Sequence, residues 1–240
     1  MQMESVRIVL VNTSHPGNIG AAARAMKNMG LAQLYLVSPE SYPHAEATAR
    51  ASGADNLLAD AVVCRSLEEA LVGTNLVVGL SARPRNLSCE QLSLRESAAK
   101  TVEIATSGQT AFVFGRERTG LLNEELDLCH YLVHIPTNPD FSSLNVAAAV
   151  QVVSYELRMA FLEAVDNQGS EVELPSYADS DAVERLYAHL ENIMIKTEFL
   201  NPDNPRLLMR RVRRLFNRAR LEQDEVQILR GLLTSIEKKL

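Results

Sequence analysis

Three short segments hold the residues of this chain best suited to chemistry, and each follows an apolar run rich in β-branched or aromatic residues. The first, Asn12 to Gly20 (NTSHPGNIG), leads into AAARAMKNMG and carries Asn18, Gly20 and Arg24. Asn18 is placed to cap a helix, and Arg24 stands one and a half turns into it, either presented to a ligand or simply facing solvent. Gly17-x-x-Gly20-Ala is not the G-x-G-x-x-G dinucleotide fingerprint. The second segment, Gly115-Arg-Glu-Arg-Thr-Gly120, has two glycines at phosphate-loop spacing, but Leu121 and Leu122 stand where that loop needs Lys and Ser/Thr. What remains is exposed backbone, two cations (Arg116, Arg118) and one carboxylate (Glu117). The third, Ile135 to Asn145 (IPTNPDFSSLN), runs into a long apolar helix. Ser142 and Ser143 lack the G-x-S-x-G elbow of a hydrolase nucleophile, and their structural alternative is helix N-capping.

These segments must be positioned by the elements around them. Val6–Val11, Leu34–Val37, Leu76–Leu80, Ala111–Phe114 and Leu132–Ile135 read as strands. Ile19–Met29 reads as a helix closed by Gly30, and Ser66 to Glu69 has the spacing of a capping box for a short helix ending near Gly73. Leu144–Ala164 reads as a long helix. Strands separated by helices predict an α/β fold, a parallel sheet with helices on both faces. The chemistry-bearing loops then lie at the carboxyl ends of strands, where open α/β sheets bind ligands. Residues 166–180 lose the periodicity and gain Gly, Pro and Ser, which predicts a linker between a domain at 1–165 and a small all-α domain at 181–240. Three helices are expected in the latter, the last two over Arg206–Arg220 and Glu222–Lys239.

Among 240 residues, 46% are hydrophobic and 22% charged, ordinary values for a globular protein. No apolar run approaches the roughly 20 residues needed to cross a bilayer, and the start lacks a signal-peptide pattern, so no membrane partner is expected. Three cysteines (Cys64, Cys89, Cys129) without a C-x-x-C pair fit free thiols in a reducing cytoplasm. Cys129, His130 and His134 lack a second thiol or a carboxylate to complete a metal set, so no metal site is expected. The net charge of −6 argues against a polyanionic partner, but its distribution does not: residues 1–179 hold 12 basic and 21 acidic side chains, residues 180–240 hold 12 and 9. Arg206 to Arg220 has seven arginines and no acid.

Taken in order, N-x-G-x-x-x-R (Asn18, Gly20, Arg24), F-G-x-E-x-x-G-L (Phe114 to Leu121) and I-P…S-S-L-N (Ile135 to Asn145) resemble the three signature motifs of the SPOUT RNA methyltransferases. The resemblance covers about residues 5–165 and, more weakly, the tail. It implies a C-terminal trefoil knot in the first domain, which nothing in periodicity reveals and which is otherwise nearly absent from proteins. It also implies S-adenosylmethionine as cofactor, bound by Leu80, Ser81, Ala82, Gly115, Ile135, Ser142, Ser143 and Leu144. The implied reaction is 2′-O-ribose methylation of tRNA, at nucleotide 32 of the anticodon loop. Methylation of ribosomal RNA and RNA binding without catalysis are the alternative readings.

Arg24, Asn18, Glu117, Ser143 and Asn145 are the expected catalytic set. Arg24 serves as a base or, because guanidinium keeps its proton, as a clamp on phosphate and developing alkoxide. Asn18 orients it, while Glu117 pairs with an arginine or accepts the leaving proton. Arg83, Arg85, Arg116, Arg118, Arg210, Arg211, Arg213 and Arg214 are the expected RNA-binding residues. On the arginine helix, Leu208, Val212, Leu215 and Ala219 form the stripe expected to pack, and no acid within the segment neutralises the arginines. A homodimer is expected because Leu144–Ala164 is apolar nearly all round and needs more cover than one sheet gives. The relatives place this helix and Ile19–Met29 at an isologous contact.

Overall fold

The computed structural model describes residues 3–81, 90–166 and 177–240. Seven strands form one sheet: β1 (Val6–Val11), β2 (Gln33–Val37), β3 (Val62–Cys64), β4 (Leu76–Leu80), β5 (Glu90–Leu92), β6 (Thr110–Phe114) and β7 (Tyr131–Val133). Their order is β3-β2-β1-β6-β4-β7-β5, and every pairing is parallel. The sheet needs crossovers rather than hairpins, and helices supply most of them. The five expected strands are present. The edge strands β3 and β5 have only three residues each, too few to show a pattern.

Period-two alternation sends the sheet's side chains to two cores. Ile8, Leu10, Leu36, Val78, Phe112 and Phe114 face the larger one, with α1 (Pro16–Met29), α2 (Ala45–Ala51), α3 (Asp55–Ala59), α5 (Leu94–Ile104) and α7 (Val146–Asp166). Val9, Val11, Val77, Val113 and Leu132 face the other, with α4 (Leu67–Leu71) and α6 (Asn123–Leu126). Both faces are covered by helices, as the alternation of strand and helix patterns predicts.

Local chemistry sets the helix ends, and several differ from expectation. Asn18 does not cap α1: the His15 imidazole accepts from Gly17 N at 3.2 Å, which frees Asn18 for other partners. Gly30 closes α1 in the left-handed region, as expected. Gly20 is required by packing, since a Cβ there would lie 2.0 Å from the Ala47 carbonyl oxygen of α2. At α4, Ser66 accepts from Glu69 N, but the Glu69 carboxylate takes Arg65 N at 2.7 Å, so the capping box is only half formed. Neither Ser142 nor Ser143 caps α7. Asn145 does, accepting from Ala147 N at 2.9 Å, and the helix starts two residues later than expected.

Residues 167–176 lie outside the described residues, but the end of the expected linker is anchored. Ser180 N donates to Thr74 O at 2.7 Å and Asn75 Nδ2 donates to Tyr177 O at 3.0 Å. The tail is α8 (Ser180–Lys196), α9 (Leu208–Ala219) and α10 (Gln223–Glu237) around Leu186, Ile193, Val226 and Leu233. On α9 the expected stripe holds only in part, with Leu208 and Val212 half-buried. Leu215 is 54% exposed and Ala219 is exposed, whereas Arg210, Arg213 and Arg214 turn toward α8 and the sheet domain.

Candidate active site

The carboxyl ends of β4, β6 and β7 open into a pocket of about 420 Å³, within the usual range for small-molecule sites. Leu80, Phe114, Val133, Ile135 and Val146 make an apolar lining, while Ser81, Gly115 to Gly120, Ser142 and Ser143 supply polar side chains and backbone. Leu80, Ser81, Gly115, Ile135, Ser142, Ser143 and Leu144 of the expected cofactor set all line it. Ala82, like Arg83 and Arg85, lies outside the described residues. The glycine at 115 is needed by the loop itself: a Cβ would meet Gly120 C and Leu121 N at 2.2 Å, where Arg116 and Gly120 pair their backbones.

Beside the pocket the three motif loops are tied together by one chain of hydrogen bonds. Glu117 accepts from Asn18 Nδ2 at 2.9 Å and from Ser14 N at 3.3 Å and Ser14 Oγ at 3.2 Å. Asn18 Oδ1 then accepts from Asn145 Nδ2 at 2.9 Å, and Asn145 Oδ1 accepts Ala147 N. The direction of the chain follows from its end, because a carboxylate only accepts, so each amide must turn its NH₂ toward it. Burial raises the Glu117 pKa, but the bonds from Asn18, Ser14 and neighbouring backbone outweigh that and hold it below the usual range. Glu117 is therefore an ionised brace and a weak base, and it has no arginine partner among the described residues, contrary to one expectation. Ser14 was not singled out in the sequence; a serine three residues after a strand gives no signal until the loop it meets is known.

The arginines divide. Arg116 is committed to Glu125 at 3.0 Å and to Asn12, so it fixes the loop rather than offering a cation. Arg118 is exposed on the pocket wall. Arg24 is exposed on α1, outside the pocket lining, and has no polar partner among the described residues. In the tail, Arg210 Nη2 donates to Asp127 Oδ1 at 3.0 Å, Arg214 stands 3.9 Å from the same carboxylate, and Arg213 pairs with Glu184. The expectation of an un-neutralised face fails here, because the acids come from other elements. Arg211 and Arg218 remain exposed.

Cys129 and His130 have structural partners. Cys129 Sγ donates to Glu125 O at 3.4 Å, and His130 Nδ1 accepts from Val77 N at 2.9 Å. Burial, with Arg220 nearby, pushes the His130 pKa down to about 4.

Comparison with known proteins adds to this geometry. The profile of the SpoU rRNA Methylase family matches residues 5–155, and that of the tRNA methyltransferase TrmJ C-terminal domain matches residues 181–240. The tRNA (cytidine/uridine/adenosine-2′-O-)-methyltransferase TrmJ of Pseudomonas aeruginosa is 51% identical over 98% of this chain and 95% of its own. The tRNA (cytidine/uridine-2′-O-)-methyltransferase TrmJ of Photorhabdus laumondii is 48% identical over 98% of each chain. The crystal structure of TrmJ from Z. mobilis is similar with a TM-score of 0.84 at 32% identity, covering 96% of this chain and 98% of that one.

Proposed function

The chain belongs to the SpoU methylase family in its TrmJ branch, a tRNA 2′-O-ribose methyltransferase, and from that premise we propose that its methyl donor is S-adenosylmethionine and its target nucleotide 32 of the anticodon loop. The observation that carries this reading is the convergence of seven expected cofactor-binding residues on one pocket, flanked by the Asn145–Asn18–Glu117 chain.

The pocket suits a nucleoside. Its apolar lining accepts a flat ring, and the strand-end backbone offers amides and carbonyls to ring edge and ribose. S-adenosylmethionine, when bound there, supplies a methyl group already activated on a sulfonium. The protein's task is then alignment and charge stabilisation. Asn18, Asn145 and Glu117 hold the three loops in register. Ser143, on the pocket wall, borders the reacting corner. Arg24 clamps the target phosphate and stabilises the alkoxide developing at the ribose 2′-oxygen. Guanidinium cannot itself accept the proton, so the hydroxyl proton leaves to solvent water as the oxygen–methyl bond forms and the sulfonium–methyl bond breaks. It stands outside its own chain's pocket, so it acts from the rim or in the pocket of a second copy.

A second copy is the proposed partner. One side of α7, Val150, Val153, Leu157 and Phe161, is buried in the single chain, while Ala148, Tyr155 and Leu162 are exposed. That remaining stripe beside α1 is the proposed two-fold contact; sedimentation at micromolar concentration should give a dimer, and a monomer would contradict it. The tail, 181–240, is proposed to hold RNA through Arg211 and Arg218, with Arg118 on the pocket wall; Arg83 and Arg85, also expected to bind RNA, lie outside the described residues. Arg210, Arg213 and Arg214 were expected to bind RNA as well; their ion pairs favour a role in holding the tail in place. The trefoil knot remains part of the proposal. No described helix is long and apolar enough to cross a membrane, and tRNA as substrate is consistent with action in the cytoplasm. Bases accepted at the target include cytidine and uridine, and adenosine if the chain follows its Pseudomonas aeruginosa relative.

The test is transfer of labelled methyl from S-adenosylmethionine to tRNA, with digestion of the product to nucleosides. Label in 2′-O-methylnucleosides is expected; label confined to bases, or none, would overturn the reading.

A further inference from the structure

Phe141 is 81% exposed, the most exposed large hydrophobic side chain among the described residues. Full exposure of a phenylalanine forgoes the favourable burial of a large apolar group, and nothing in the brace or the pocket uses this one. Yet its position is built. Thr137 Oγ1 donates to Ser142 O at 3.1 Å, Phe141 N donates to Asn138 O at 2.9 Å, and Asp140 N donates to Asn138 Oδ1 at 3.1 Å. The turn is closed by its own polar groups and projects the ring outward. The next three residues, Ser142, Ser143 and Leu144, line the pocket, so Phe141 stands about one residue step, ~3.8 Å along the chain, from its wall.

We propose that Phe141 is a stacking platform for the base of the nucleotide being methylated. The inference rests on the reading of the pocket as a tRNA ribose methyltransferase site. A ribose whose 2′-oxygen enters the pocket carries its base to the rim, unstacked from its neighbours. Single-stranded nucleic acids are held by aromatic faces together with cations on the backbone path. The rim has both, since Arg118 is exposed on the same wall. Stacking reads a π-face and no base edge, so this contact tolerates a pyrimidine or a purine at the target. Specificity for position then falls to the rest of the RNA surface.

The test compares the wild type, Phe141→Ala and Phe141→Trp on an intact tRNA and on one lacking only the base at the target nucleotide. RNA binding is measured separately from methyl transfer, and cofactor affinity by calorimetry. Phe141→Ala should lose roughly 5- to 50-fold in kcat/KM for intact tRNA, mostly through KM, as expected from removing the platform under one stacked base. Phe141→Trp should retain most activity. On the RNA lacking the base, wild type and Phe141→Ala should bind alike. Cofactor affinity and oligomeric state should not move. An equal loss on both RNAs, an unchanged kcat/KM, or a matching fall in cofactor affinity or dimerisation would overturn the proposal. If the wild type methylates no tRNA, the functional reading fails. The binding arm still decides on stacking, because a base-dependent loss of affinity in Phe141→Ala supports it and a base-independent result removes it.

Discussion

The pocket domain and the tail handle their polar residues in opposite ways. Around the pocket, the three loops are joined by Asn18, Asn145 and Glu117, and one arginine, Arg116, is spent on Glu125 and Asn12, while Arg24 and Arg118 stay exposed. In the tail, the helix that holds most of the arginines spends Arg210, Arg213 and Arg214 on Asp127 and Glu184, leaving Leu215 to solvent. A charge-rich segment thus spends three of its arginines on docking and leaves Arg211 and Arg218 exposed, while Arg24 stands exposed in a segment of mostly small residues. What a cation does depends on the surface it meets, so charge density along a sequence does not locate an RNA-binding face.

The comparison is most sharply broken at Arg24. Arg24→Ala is expected to lower methyl transfer about 100- to 1000-fold, the usual effect of removing a group that stabilises developing negative charge, with cofactor affinity within a few-fold. Calorimetry and a transfer assay separate the two, and loss of cofactor binding in a folded variant would place Arg24 in the wrong role. Asn18→Ala removes the middle of the brace rather than a reacting group. It should lower kcat about tenfold to 100-fold through misalignment, with the melting temperature nearly unchanged.

At the junction of the two regions, His130 should make stability pH-dependent. Its folded pKa of about 4 lies below the ordinary 6.5, so the unfolded chain takes up a proton first as pH falls. Stability from this group is full above about pH 6.5 and is lost progressively toward about pH 4, by about 3 kcal/mol at most. Urea unfolding across that range should show the loss, and His130→Asn should flatten it. An unchanged slope would mean that His130 is reached by solvent.

The tail arginines give the smaller effects. Arg210→Gln with Arg214→Gln leaves Asp127, a side chain only 11% exposed, without its cations, and should reduce stability by about 2 kcal/mol. Arg211→Gln with Arg218→Gln should leave stability alone and weaken tRNA binding, lowering the log–log salt slope by roughly 0.7–0.9 for each phosphate no longer neutralised. The reverse pattern would return the RNA-binding role to the docked arginines.

The place of the pocket was legible because its loops follow strands that can be read from the sequence, but the eight expected cofactor residues came from the family resemblance; seven of them share one cavity. The brace was less legible. Asn18 and Glu117 were singled out, but their bond joins residues 99 apart, and its existence depends on His15 taking the cap that Asn18 was expected to fill. The short strands β3 and β5 were missed because three residues show no period. The tail failed for another reason. Two stripes on one amphipathic helix were both plausible inner faces, and the acids that chose between them, Asp127 and Glu184, lie 83 and 29 residues away from their arginines.

The central claim is that the pocket directs one methyl group to one ribose in tRNA. Wild-type protein, S-adenosylmethionine and unmodified tRNA should be incubated together, and the product digested and mapped by mass spectrometry. A single added methyl on the ribose of nucleotide 32, formed far more slowly when Arg24 is replaced by Ala, is the result expected. A methyl on another nucleotide, on a base, or only on ribosomal RNA supplied in competition would contradict the account.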